Sequence, residues 1–185
     1  GVFANTYITD CSSATKYITA PDNGGLSGAF TIESYMYITE SLSNILYKGI
    51  IGSNPSAGGA GYMAIVSNGT SIDFYCGAGT GAEPIWTGLT IPTNQWFHLA
   101  IQRSSTDYFS LYLNGVKQTS GNSQATGSTA KSGTVFDNNL DDLYYITRWH
   151  SPAYSLSAYL QDFRISDGLE RYTTNFTPHT EPWKG

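Results

Sequence analysis

From Phe30 to Ile38 the chain alternates: Phe30, Ile32, Met36 and Ile38 fall on one face, Thr31, Glu33, Tyr35 and Tyr37 on the other. A period of two predicts a strand with one side turned to an apolar interior. Trp96 to Ile101 is nearly continuous apolar sequence, the pattern of a strand covered on both sides. Two pairs of short runs flank Asn-Gly: Tyr62–Val66 and Ser71–Cys76 around Asn68-Gly69, then Phe109–Leu113 and Val116–Gln118 around Asn114-Gly115. Asn-Gly takes the positive φ angles of a type I′ turn, whose twist matches the strands it joins, so each pair predicts a hairpin. Further strands are expected near 5–9, 16–19, 45–51, 84–90, 143–148 and 158–165. One helical pattern competes, with Ile38, Leu42, Ile45 and Leu46 behind a cap at Thr39, and it predicts at most one or two turns. Many short strands with frequent turn residues place the chain in the all-β class, as an antiparallel sandwich.

Composition narrows the function classes. The 185 residues suit one domain spanning 1–185. Charged residues are only 12%, against about 25% in ordinary soluble domains; hydroxyls, amides and tyrosines take their place. The net charge is −5, and no basic stripe exists to neutralise phosphates, which argues against nucleic acid as a partner. No apolar run reaches the roughly 20 residues that a membrane-crossing helix needs. Gly1 to Asn5 lacks the basic end and apolar centre of a secretory leader, and the missing initiator Met reads as a processed chain or an excised fragment. Cys11 and Cys76 do not make a disulfide framework; buried free thiols are expected, and pairing would need their strands to meet. Asn68-Gly69-Thr70 and Asn175-Phe176-Thr177 fit the glycosylation pattern, yet read more simply as a turn and a terminal loop. Thr119 to Thr134 is almost wholly small and polar, a long loop that is mobile or used for contact.

Several segments, taken in order, carry a resemblance. Gly28-Ala29-Phe30-Thr31-Ile32-Glu33 comes first. Trp96-Phe97-His98-Leu99-Ala100-Ile101-Gln102-Arg103-Ser104 and Leu111-Tyr112-Leu113-Asn114-Gly115 follow. Tyr159-Leu160-Gln161-Asp162-Phe163-Arg164-Ile165-Ser166 is last, with Arg171-Tyr172 and Asn175-Phe176-Thr177-Pro178 after it. In this order, over about 16 to 183, they resemble the laminin-G-like branch of the concanavalin A-like lectin superfamily, in the form often seen in bacteriophage virion proteins. The resemblance implies a jelly roll of two antiparallel sheets, and roles in glycan or cell-surface recognition or in decorating a virus particle. Ser34 and Tyr35 depart from the bulky aromatic pair common there. Gln161 replaces a frequent acidic residue, which weakens a calcium site carried over from relatives.

The chemistry-bearing residues point away from catalysis. A glycosidase needs two carboxylates, about 5–5.5 Å apart for retention or about 6.5–9.5 Å for inversion. Glu33, Glu40, Glu83, Glu170 and Glu181 are scattered, and Asp141-Asp142 would point apart on a strand. His98, His150 and His179 show no zinc spacing. There is no Gly-x-Ser-x-Gly elbow, and Gly77-Ala78-Gly79-Thr80-Gly81 lacks the ending of a phosphate loop. Calcium would take Asp162, Asp137 and Asn139 as its best oxygen ligands; against this, Asp162 reads as the ion-pair partner of Arg164 and Asp137-Asn138-Asn139 as a solvated turn. Aromatic rings are the remaining resource, because a Tyr or Trp face packs against a sugar while its polar edge hydrogen-bonds. Trp149 and Tyr154, in a predicted connection, lead the ligand-contacting set, with Trp86, Tyr62, Tyr35 and Tyr37 as secondary candidates; Trp96 reads as core.

The expectation is therefore a non-enzymatic surface module of a phage virion, as capsid decoration or fibre, at the virion surface or outside the cell. It would bind glycans, a host surface, or capsid and fibre proteins, and could form a homo-oligomer. The rival readings are a carbohydrate-binding module of a larger secreted protein and, third, a glycoside hydrolase.

Overall fold

The computed structural model describes residues 9–11, 13, 16–21, 26, 28–42, 48–53, 63–68, 70–76, 84–122, 125, 143–148 and 155–181, with the backbone alone at 20, 21, 48, 51–53, 63–68, 74–76 and 143–145. Two six-stranded antiparallel sheets contain all the strands among them. The first sheet runs, in spatial order, β1 (Thr9–Cys11), β12 (Ala158–Asp167), β3 (Phe30–Ile38), β8 (Trp96–Arg103), β9 (Phe109–Leu113) and β10 (Val116–Lys117). The second runs β2 (Ile18–Pro21), β11 (Leu143–Ile146), β4 (Lys48–Ser53), β5 (Met63–Asn68), β6 (Ser71–Cys76) and β7 (Ile85–Trp86). The all-β antiparallel expectation holds, and no described residue is helical. Ile38 ends β3 and Thr39 to Leu42 follow without a helical turn; 43–47, the rest of the competing helical pattern, lie outside the described residues.

Alternation builds the interior. Phe30, Ile32, Met36 and Ile38 of β3, Phe97, Leu99 and Ile101 of β8, and Phe109 and Leu111 of β9 are buried with Ile50, Ile72, Trp86 and Ile146 of the opposite sheet. Each such side chain contributes about 1.5–3 kcal/mol through its removal from water. The second hairpin closes as predicted: Leu113 pairs Val116, and Asn114 and Gly115 hold φ of 49° and 76°. Asn114 Oδ1 also accepts from the His98 N–H at 2.9 Å, which ties the turn to β8. The first hairpin also forms, with its register carrying Asn68 into the strand opposite Ser71. Cys11 is a buried free thiol.

The alternation breaks once in the first sheet, at a bulge in β12. There the register with β3 shifts between Gln161 and Arg164, so Asp162 and Phe163 together stand opposite Ser34. Asp162 takes φ of 59° at this bulge. The extra residue resets the alternation and brings Arg164 opposite Glu33 on the outward face.

Candidate functional site on the outer face of the first sheet

Cross-strand register sorts the outward side chains of the first sheet into rows. Asp10, Tyr159, Tyr37 and Trp96 form one row across β1, β12, β3 and β8. Gln161, Tyr35 and His98 form the next, then Arg164, Glu33, Ala100 and Tyr112, then Ser166, Thr31, Gln102 and Ser110. A strand spacing of about 4.8 Å sets the distance between neighbours within a row.

The last three rows are covered by residues 169–181, a strap that turns back over the sheet at Gly168 (φ 72°). Sheet side chains hold its backbone. Thr31 Oγ1 donates to Leu169 O at 2.8 Å and accepts from Arg171 N–H at 3.2 Å. The Gln102 amide accepts from Tyr172 N–H at 3.1 Å and donates to Tyr172 O, which also receives the Tyr112 hydroxyl at 2.8 Å. The Tyr35 hydroxyl reaches His179 O at 2.6 Å. Phe176 N–H donates to Gly115 O at 2.9 Å, an approach open only to glycine, since a Cβ there would stand 1.9 Å from Phe176 O. Beneath the strap, Tyr172 stacks on Phe176 with ring centroids 3.5 Å apart, and His98 meets Tyr35, Phe176 and His179 edge to face.

Glu33 lies at the centre of this covered region, 1% exposed. Arg164 holds its Oε1 through Nη2 at 2.5 Å and Nε at 3.2 Å, with Arg171 Nε at 3.5 Å. The Tyr172 hydroxyl donates to Oε2 at 2.6 Å, and His98 Nε2 stands 3.3 Å from the same oxygen. Burial alone would raise its pKa; the adjoining His98 imidazole and the bonds from Tyr172 and Arg164 outweigh that and bring the carboxyl from 4.5 to about 2. Burial pushes the Tyr172 phenol up, and the Glu33 charge adds to this. Nearby, His179 Nε2 lies 2.7 Å from Asp162 Oδ2, and burial holds the imidazole pKa down. Between strap and strand an open groove of about 410 Å³ remains, lined by Arg164, Glu170, Arg171, Thr177 and His179 among others.

The first row is different, because its aromatic side chains are only half-buried. Trp96 and Tyr37 have ring centroids 5.7 Å apart, and Tyr37 and Tyr159 6.1 Å. The row ends at an exposed ion pair, Lys16 Nζ to Asp10 Oδ2 at 2.5 Å. Three strands thus present a line of rings with a polar group at one end. This is a surface that can meet the apolar face of a sugar and hydrogen-bond its hydroxyls.

The residues expected from sequence are placed unevenly. Trp149, Tyr154 and Tyr62 lie outside the described residues, as do Asp137 and Asn139. Arg148, just before Trp149, sets its guanidinium 4.6 Å from the ring centre of the exposed Tyr17. Trp86 must be withdrawn as a ligand platform, since it is 0% exposed and part of the core. Its strand is closed from outside by Gly121, which bridges Trp86, and by Asn122, whose N–H reaches Ile85 O at 3.0 Å. The expected pairing of Asp162 with Arg164 assumes an unbroken strand; across the bulge Arg164 binds Glu33 and Asp162 binds His179. Among the described residues no group of three or more His, Cys, Asp or Glu side chains could hold a metal ion, Asp162 included. Sequence reasoning finds Tyr37 but misses the row around it, since Tyr159 does not stand out and Trp96 reads as core. The signal that finds them is outward parity in three adjacent strands at one register.

Known proteins share this fold. The laminin G-type profile described as the concanavalin A-like lectin/glucanases superfamily matches residues 12–169. The chain belongs to that superfamily. No curated protein matches it. Among solved structures, this superfamily domain is similar to the binding domain of botulinum neurotoxin serotype D, with TM-score 0.58, 17% identity, and 90% of this chain matched to 41% of that one. The serotype D ligand-binding domain in complex with N-acetylneuraminic acid gives TM-score 0.55 and 17% identity over 91% of this chain and 41% of that one. Domains LG4-5 of the mouse laminin α1 chain give TM-score 0.58 and 12% identity over 89% and 42%. The chain therefore spans about two fifths of each of these structures. At these identities the likeness is one of fold.

Proposed function

We propose that this superfamily domain is a non-enzymatic recognition module that binds glycans on the outer face of its first sheet. The observation that carries the reading is the half-buried row Trp96–Tyr37–Tyr159, with centroid spacings of 5.7 and 6.1 Å and the Asp10–Lys16 pair at its end. The rings stand across the strands edge to face, at interplanar angles of 63° and 62°, so an extended saccharide lying perpendicular to β3 would meet rings set at alternating angles and not one flat platform. The serotype D domain was solved with N-acetylneuraminic acid, which supports a sugar as ligand class. The setting we propose is extracellular or on a virion, where a decoration or fibre protein would use such a face to engage host glycans. The phage-like form of the sequence resemblance and the 12% charged content support it.

Hydrolysis fits the face poorly. Glu33 is ionised and enclosed by guanidinium, imidazole and phenol groups, so it has no proton to give as a general acid and no opening toward a substrate. A glycan array probed with the intact chain and with Trp96→Ala and Tyr159→Ala tests the proposal. Binding by the intact chain that falls about tenfold in each variant, a loss of roughly 1.4 kcal/mol, supports it; binding that both variants retain removes it. Release of reducing ends from a bound polysaccharide would instead favour the hydrolase reading.

A further inference from the structure

The strap 169–181 is attached in an unusual way. Its backbone is held largely by sheet side chains, with Thr31, Gln102, Tyr112 and Tyr35 binding Leu169 O, Arg171 N, both backbone polar groups of Tyr172, and His179 O. It joins none of the sheet ladders. Its own side chains reach back to the sheet: Tyr172 to Glu33, Phe176 against Tyr112 and His98, and His179 to Asp162, with Glu170 on Gln102, Arg171 on Ser166 and Asn175 on the Lys117 N–H around them. The outer face is thus a cradle for one extended peptide whose anchors are spaced Tyr-x3-Phe-x2-His, the arrangement by which a groove recognises a separate segment.

The join to the rest of the chain is as short as a join can be. Asp167 still pairs with Phe30, and Leu169 O is already held by Thr31, so Gly168 alone makes the reversal. It does so at φ 72°, with nothing within 4 Å of where a Cβ would lie, and the adjoining Leu169 is 45% exposed. A residue that resists positive φ would open this turn without a steric clash at the site itself. The strap would then lead away from its own sheet, while the cradle it left would remain complementary to it.

We infer that the cradle accepts the 169–181 segment in trans, and that the partner which fits it is a second copy of this chain, giving a strap-exchanged dimer whenever Gly168 does not close the reversal. Exchange preserves every anchor contact and changes only which copy supplies the segment, which is why such dimers cost little beyond association. In the closed form the one-residue join gives the segment a high effective concentration, so the single copy prevails in dilute solution.

The test uses the full chain with Gly168→Val, whose branched side chain strongly disfavours positive φ, compared with the unsubstituted chain by light scattering after refolding at matched concentration. The expected result is a doubling of mass for Gly168→Val that disappears when Tyr172→Ala and Phe176→Ala are added. A dimer that persists without the two anchors would overturn the inference, because something other than the strap would be joining the copies. A Gly168→Val chain that stays monomeric would overturn it as well. Should that variant fail to fold, Gly168→Ala is read by the same two outcomes.

Discussion

The Tyr172 hydroxyl donates to Glu33 Oε2 at 2.6 Å across 139 positions of sequence, joining the strap to the middle of β3. This bond sits at the edge of a buried ion pair. Burying a carboxylate is costly unless charges and donors surround it, and removing one partner exposes the cost of the rest. Glu33→Ala, which leaves the Arg164 guanidinium without its carboxylate, is expected to lower unfolding stability by about 3–5 kcal/mol. Tyr172→Phe, which removes one donor to a charged acceptor, is expected to cost about 1.5–3 kcal/mol. Urea titration measures both, and equal losses in the two variants would contradict this ordering.

The same carboxylate gives the chain an acid limit. Its folded pKa, about 2, lies below the ordinary 4.5, so the unfolded chain binds more protons between those values. The stabilisation is complete above pH 4.5 and is lost as pH falls toward 2, amounting to about 3 kcal/mol for a shift of this size. The His179 imidazole, with its pKa also lowered from 6.5, adds a decline that starts below pH 6.5. Stability against pH should therefore fall in two stages. Glu33→Gln should flatten the lower stage and His179→Gln the upper, as read from melting temperature across pH 2 to 7 (roughly the window of the two shifts).

Gly115 is expected to tolerate no side chain. A Cβ would stand 1.9 Å from Phe176 O, and φ is 76°. Gly115→Ala should cost at least about 1–3 kcal/mol from the strained turn alone and should loosen the strap. Limited proteolysis would then cut within 169–181 before the strands unfold; a strap as protected as in the unsubstituted chain would contradict the contact.

Much of the fold is legible in the sequence, and the reasons are local. Parity along Phe30–Ile38 separates the core face from the outer face correctly, and Asn114-Gly115 specifies its hairpin, because each depends on residues a few positions apart. The outer face is less legible. Glu33 and Tyr35 look like solvent-facing positions until the strap, more than 130 positions after Glu33, covers them, whereas the apolar run around His98 reads as covered on both sides and is so. The bulge at Asp162-Phe163 carries no Gly or Pro to announce it, so Asp162 and Arg164 look like mutual neighbours when each has another partner. Trp86 looks accessible because the segment that closes its strand, at Gly121 and Asn122, has a featureless composition. The aromatic row depends on register between three strands distant in sequence, which no single stretch encodes.

The most direct check on the recognition surface is to follow backbone amide chemical shifts of the intact chain as an oligosaccharide that it binds is added. Perturbations are expected to concentrate at Trp96, Tyr37, Tyr159 and Asp10, with the neighbouring strap little affected. Shifts that cluster instead along Arg164, Arg171 and Thr177, or that leave the first row unmoved at saturation, would contradict that assignment.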